Sequence, residues 1–266
     1  MTGFRLRVIG VNNNSKGNGK NESNSKKISE NNSKKISENN SKKISESKKK
    51  NEGNEISELQ AGKIICLAQN YPKHAKEMKS TPPSLPYFFL KPATALIHSG
   101  EDIVLPPLSS NVHHEVELAV IIGKEGKNIP ENEARSYILG YGVFLDLTAR
   151  DIQTEGKKTA RPFGIAKSFD TFAPISDIIP AEKVEDPMNL TLHLEVNGEV
   201  RQHDSTSSML FSIDRIVAFL SSVMTLERGD IIATGTPSGV SEIRAGDSVY
   251  AEIHGVCSLR HLVTKQ

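Results

Sequence analysis

The sequence predicts a β-rich α+β domain with a few short helices over residues 62–266, preceded by a low-complexity segment. Three observations carry that prediction. Strand-like stretches bounded by Gly, Pro, Asn and Asp outnumber helical ones beyond residue 62. Asn197-Gly198 stands between two alternating runs, residues 190–196 and 199–202, the signal of a type I′ hairpin. Residues 24–31, NSKKISEN, recur from Asn32 and again from Asn40, with Ser47 in the last place.

Residues 1–10 can form one short strand. The repeat that follows offers one apolar residue per unit: Ile28, Ile36 and Ile44. So few apolar groups cannot offset the entropy of ordering the backbone. Residues 11–61 are therefore expected to be disordered. The opening is too short and too charged for a secretory signal. It carries no acid before Glu22, which leaves an organelle transit peptide open. The expected location is the cytoplasm, with the mitochondrion or another organelle as the alternative.

From Gly62 the elements follow in order. Residues 63–68 (KIICLA) read as a buried strand. Asn70 as N-cap and Pro72 in the first turn start a short helix over residues 70–78. Residues 86–91 form an aromatic-rich strand that Pro92 ends or displaces to an edge, with Lys91 in a pocket or on that edge. Residues 95–97 and 103–105 are short strands around a turn at 99–102. Residues 112–122 read as one strand, 131–139 as a helix stopped by Gly140, and 141–147 as another strand. After the Asn-Gly hairpin, Ile213, Ile216, Val217 and Leu220 mark one stripe of an amphipathic helix. Residues 229–239 are a turn, a strand and a Gly/Thr/Pro loop, and Gly246-Asp247 opens the last strands.

Charge is unevenly spread. Residues 1–60 hold 13 Lys+Arg and 7 Asp+Glu, against 20 and 25 in the remainder. An acidic body argues against nucleic acid as a partner. No apolar run is long enough for a membrane-spanning helix. Cys66 and Cys257 are the only cysteines, without metal-ligand spacing, so a reducing compartment is the default.

The candidate chemistry lies in residues 112–122. Glu115 and Glu117 are two apart and so leave one face of a strand, where their charges repel. Asp146 is a lone carboxylate among apolar residues and needs a partner. Three carboxylates without cysteine or regular histidine spacing favour a hard cation, Mg²⁺ or Mn²⁺, over zinc. A bare Glu-x-Glu is also compatible with the wet face of a strand. His74 and Glu77 are i and i+3 on the short helix, which suits a carboxylate-oriented general base or a plain surface pair. Arg150 and Gln153 follow Asp146 closely and suit a carboxylate- or carbonyl-bearing ligand, with an Arg150–Asp151 pair as the structural alternative. Lys167 is a salt-bridge partner or an enolate stabiliser. In the loop at Thr234, Gly235 and Thr236, small residues allow backbone N–H groups to approach an anion, with a plain tight turn as the structural alternative.

Seven motifs in register give these pieces a common origin: NYPKHAKEM (70–78), HHEVEL (113–118), LDLTARDIQ (145–153), AKSFD (166–170), VNGEVRQ (196–202), TSSMLFS (206–212) and GDIIATGTPSGV (229–240). Together they resemble the fumarylacetoacetate hydrolase family over about residues 62–264, especially its short acylpyruvase and oxaloacetate decarboxylase members. The resemblance implies a mixed β-sandwich roll, usually a homodimer. It implies Mg²⁺ or Mn²⁺ on Glu115, Glu117 and Asp146, and a lid helix whose His74 and Glu77 activate water. It also implies enolate stabilisation by Lys167, with Gln69, Arg150, Gln153, Thr234 and Thr236 around the substrate. Gln69 stands where short members commonly carry Arg. The reaction so implied is hydrolysis of an acylpyruvate carbon–carbon bond, or decarboxylation of oxaloacetate, through a metal-stabilised enolate. Isomerisation, hydration or tautomerisation of 2-oxo acids is the alternative. A non-catalytic binding role for the basic segment is the alternative of another class.

Overall fold

Strand parity decides which side chains meet. The computed structural model describes residues 3–10 and 56–266, and in it every residue of the strand Val116–Ile122 is buried. Val116, Leu118, Val120 and Ile122 enter one apolar cluster, and Ala119 and Ile121 enter a second on the opposite face. This strand lies inside a mixed sheet of order Tyr87–Lys91, Ile64–Ala68, Ile231–Ala233, Val116–Ile122, Ile138–Leu145, Ala173–Ile175 and Leu96–His98. Ile179–Pro180 pairs with Ile138–Leu145 as the eighth strand. The parallel pair Ile64–Ala68 and Ile231–Ala233 reads as continuous apolar runs because both faces are covered.

The second sheet is five-stranded, in the order Glu199–Ser205, Thr191–Val196, Ser248–Ile253, Cys257–Lys265 and Ile103–Leu105. Its alternate residues Leu192, Leu194, Val249, Ala251 and Ile253 point inward and join the first cluster. The two sheets therefore share one core, as expected of a mixed β-sandwich. The helix Ile213–Val223 adds Ile213, Ile216, Val217 and Leu220 to it, and the Ser212 hydroxyl caps it by accepting from Arg215 N–H. The hairpin forms as the Asn-Gly pair requires, with φ of 55° at Asn197 and 80° at Gly198.

On the far face of the large sheet, Arg5–Ile9 pairs antiparallel with Ile56–Gln60, and Leu6, Val8 and Leu59 cover the second cluster. Ile56–Gln60, placed in the low-complexity segment by sequence, is a strand because Leu59 is buried there. Of the expected disorder over 11–61, residues 11–55 lie outside the described residues. No helix among the described residues is long and apolar enough to cross a membrane.

Three local expectations are corrected. Residues 131–139 do not form one helix: Glu131–Tyr137 is a 3-10 helix, and a strand runs from Ile138 through Gly140. Gly140 is needed within that strand, because a Cβ there would lie 2.3 Å from the Ile179 carbonyl oxygen. Residues 112–122 are two strands, Val112–His113 and Val116–Ile122, interrupted where His114 turns to Gln202 and Ser241. The first helix, α1 (Pro72–Glu77), is flanked by Tyr71 rather than capped by Asn70. Asn70 is held elsewhere: it donates to Thr234 O at 2.8 Å and accepts from Phe211 N–H at 2.9 Å.

Candidate active site and metal centre

The second apolar face runs out into carboxylates at one end. Going along the central strand from Ile121 to Ala119, the next residue on that face is Glu117. On the neighbouring strand the same parity carries Phe144 to Asp146, just past the strand's end. Glu115 lies at the strand break, where its carbonyl accepts from Asp146 N–H at 2.9 Å. Ligand oxygens of Glu115, Glu117 and Asp146 all lie within 4.8 Å of one another, and all three residues are buried.

Three cations face this triad. Lys167 bridges it, donating to Asp146 Oδ2 at 2.5 Å and to Glu115 Oε2 at 3.0 Å. Lys91 donates to Asp146 Oδ1 at 2.6 Å and to Leu147 O at 3.1 Å. Arg150 donates from Nη2 to Glu115 and from Nη1 to Gln153 Oε1 at 2.7 Å. Burial would raise the Glu115 carboxyl, but Lys167 and Arg150 outweigh it and hold the group well below the usual range. Burial would likewise neutralise Lys167, yet Asp146 and Glu115 keep its ammonium charged.

Glu117 is different. Its one hydrogen bond among the described residues comes from Gly235 N–H at 2.7 Å. Burial first, then the charges of Asp146 and Glu115, push its carboxyl well above the ordinary value. A buried carboxylate short of positive charge next to two others is the physical sign of a cation site. The donor set is all oxygen, which suits a hard divalent ion. The lysine and arginine contacts on Glu115 and Asp146 do not close it, because each carboxylate oxygen keeps a second lone pair.

The i, i+3 pair on α1 is in contact. His74 Nδ1 lies 3.0 Å from Glu77 Oε2. A carboxylate only accepts, so Nδ1 carries the proton and Nε2 is left basic. The other Glu77 oxygen accepts from Gly239 N–H at 3.0 Å, which latches α1 to the loop. His74 also lies close enough to Glu115 to lower its pKa. The loop thus uses its backbone N–H groups on two protein carboxylates, Glu117 and Glu77. Gly235 is required for the approach: its φ is 96°, and a Cβ would lie 2.8 Å from Asn70 Cβ.

The remaining expected residues are placed as follows. The Thr234 hydroxyl donates to Leu118 O at 3.1 Å and that of Thr236 to Val116 O at 2.9 Å, so both tie the loop to the central strand. Gln153 is buried against Arg150. Arg150 does not pair with Asp151, which instead accepts from Ser109 and Ser110. Gln69 sits half-buried beside Asn70 with a φ of 59°, the left-handed region. Two residues at the site were not among the site residues expected from sequence. Lys91 was left between pocket and edge; its strand is the sheet's edge, yet its ammonium is buried on Asp146. Gln202, read as scaffold, accepts from Val116 N–H at 3.0 Å and donates to Thr236 Oγ1 at 2.8 Å. Its signal was a polar residue at the one inward position of its strand.

Comparisons with known proteins agree with this geometry. The family model described as Fumarylacetoacetate (FAA) hydrolase C-terminal matches residues 63–264. An oxaloacetate tautomerase FAHD1 of Bos taurus is 48% identical over 202 residues, covering 76% of this chain and 91% of that protein. A 5-carboxymethyl-2-hydroxymuconate delta-isomerase structure from Mycobacterium smegmatis is 42% identical with a TM-score of 0.70, covering 77% and 80% of the two chains. A fumarylpyruvate hydrolase from Pseudomonas aeruginosa, solved in complex with Mn²⁺ and pyruvate, is 35% identical with a TM-score of 0.75, covering 79% and 92%. The expectation of a cytoplasmic location is overturned here: the Bos taurus relative, and those of the same name from Mus musculus and Homo sapiens, are mitochondrial by name. With the oxygen triad and the Mn²⁺-bound relative together, the cofactor is a divalent metal ion.

Proposed function

This chain belongs to the fumarylacetoacetate hydrolase family, and on that premise we propose that it moves a proton beside the keto group of a short 2-oxo acid, as a keto–enol tautomerase of oxaloacetate-like substrates. At the family level it is an enzyme, a metal-associated hydrolase, isomerase or tautomerase acting on short 2-oxo acids. The observation that carries the finer reading is the His74–Glu77 pair latched by Gly239 beside the acidic triad. Carbon–carbon cleavage, which the sequence reading put first, takes second place. The 48% identical relative is a tautomerase and the 42% identical structure an isomerase, whereas the hydrolase is 35% identical.

The residues divide the work. Glu115, Glu117 and Asp146 would hold Mg²⁺ or Mn²⁺, which supplies Lewis-acid polarisation of a keto group. His74 Nε2 takes the proton from the carbon next to the keto group and delivers it to the enolate oxygen, which gives the enol, while Glu77 fixes the ring and supports its transient charge. Lys167 ties Glu115 to Asp146 and contributes positive charge where an enolate oxygen develops. Gln69, Arg150 and Gln153 would face the substrate's acid group, and Thr234 and Thr236 keep the loop in register. We take the enzyme to be a homodimer, with exposed Leu85, Tyr87 and Leu90 around the edge strand as surface that a second copy would cover. Nucleic acid and membranes have no part in this reading.

The test follows oxaloacetate by the absorbance of its enol, with pyruvate release measured in parallel, in Mg²⁺ or Mn²⁺. The wild type should accelerate enol–keto relaxation, and His74→Asn should lose about a hundredfold or more of that rate. Relaxation at the buffer rate, with pyruvate released from an acylpyruvate, would replace tautomerisation by hydrolysis. That second reading is favoured by the likeness to the Mn²⁺- and pyruvate-bound hydrolase, and in it the same His74 would deprotonate water.

A further inference from the structure

The outer face of the five-stranded sheet carries a histidine pair that the catalytic site does not use. His193 and His203 are direct cross-strand partners on the two arms of the Asn-Gly hairpin. Their Nδ1 atoms lie 3.3 Å apart, with the rings edge to face at 80°. Two nitrogens each 2.0–2.1 Å from a tetrahedral ion lie about 3.3–3.4 Å apart. His193 Nε2 is 2.9 Å from Glu195 Oε1. The carboxylate can only accept, so Glu195 places the His193 proton on Nε2 and leaves its Nδ1 lone pair facing His203. This is the carboxylate–histidine order that orients metal-bound imidazoles. Glu252, the register partner of His193 on the next strand, adds negative charge to the same face. It accepts from Tyr250 OH at 2.8 Å and pairs with His254 Nδ1 at 3.5 Å.

We propose that His193 and His203 form a second metal site, one that takes a borderline transition-metal ion such as Zn²⁺ through their two Nδ1 atoms. Water completes the coordination, since no third His, Cys, Asp or Glu ligand lies within range among the described residues. Without the ion, His203 donates its Nδ1–H to His193. On binding, that proton passes to His203 Nε2, and no net charge is lost from either ring. Imidazole nitrogens select against Mg²⁺ and Mn²⁺, so the site differs in metal preference from the all-oxygen triad. It pins the two arms of the hairpin whose next residue, Gln202, holds Thr236 on the inner face.

The experiment titrates Zn²⁺ into the full chain held in excess Mg²⁺, read by calorimetry and by the imidazole resonances. Expected is one equivalent of Zn²⁺ that shifts His193 and His203. His203→Gln should weaken that binding at least tenfold, and Glu195→Gln should weaken it about tenfold. His203 is exposed, so the variant should keep its circular dichroism and its Mg²⁺-dependent turnover. Equal Zn²⁺ affinity and stoichiometry in wild type and His203→Gln would overturn the site, as would a Zn²⁺ equivalent that leaves both histidine resonances unmoved.

Discussion

Replacing Glu117 by Gln should separate stability from metal binding. The triad's oxygens lie within 4.8 Å of one another, so at an effective dielectric near 20 each pair would repel by about 3.5 kcal/mol or more if both members were ionised, which helps push the Glu117 carboxyl up. Glu115 and Asp146 have Arg150, Lys91 and Lys167 to offset this; Glu117 has the Gly235 N–H. A glutamine keeps an acceptor for that N–H and presents its amide to the two carboxylates. In chelator-treated protein Glu117→Gln should therefore melt at the wild-type temperature or above it, by up to about 2 kcal/mol of added stability. Metal reverses the order. At a hundredfold excess over its dissociation constant, a bound ion stabilises the wild type by about 2.7 kcal/mol. For a domain of this size that raises Tm by roughly 5–10 °C. The variant should lose most of that rise together with activity. Thermal melts by circular dichroism, with chelator and then with Mn²⁺ or Mg²⁺, read both effects. A variant that kept the full metal-induced rise would refute the triad as the ion's seat.

Three further outcomes follow from the same geometry. Gly239→Ala should lower turnover more than it raises KM, because a Cβ there would lie 2.1 Å from Arg201 O and displace the N–H that latches Glu77; unchanged kcat would show the latch to be idle. Asn70→Ala leaves buried Phe211 N–H and Thr234 O without their partners, a loss of about 2–4 kcal/mol that urea unfolding would read as a lower midpoint at unchanged slope. Burial pushes the His261 imidazole below its ordinary value, with Nδ1 bound to Glu101 O at 2.7 Å and Nε2 buried without a partner among the described residues. The unfolded chain then binds the extra proton below pH 6.5, so stability falls on acidification, by at most about 1.4 kcal/mol per pH unit. Urea midpoints at pH 7.5 and 5.5 should differ less in His261→Gln than in wild type, and equal differences would exclude His261 as the source.

Local chemistry was legible from the chain alone wherever a short-range rule sufficed. Asn197-Gly198 specified its hairpin, and the apolar stripe from Ile213 to Leu220 specified the helix Ile213–Val223. The one-in-two period of strands put Glu117 on a defined face, and the i, i+3 spacing brought His74 to Glu77. What depended on long-range packing was misread or left open. Gly140 looked like a helix stop, because nothing in the chain announces that Ile179 O will press against it. Asn70 looked like a cap, because its partners Phe211 and Thr234 lie far along the chain. Lys91 could be pocket or edge until the fold laid Asp146 beside it. Residue type and period determine which groups can act and which face they leave. Only the tertiary structure decides which charges end up sharing a buried volume. Here that sharing gave Glu115 and Asp146 cationic partners and left Glu117, among the described residues, with a single backbone N–H, which is why we place the ion there.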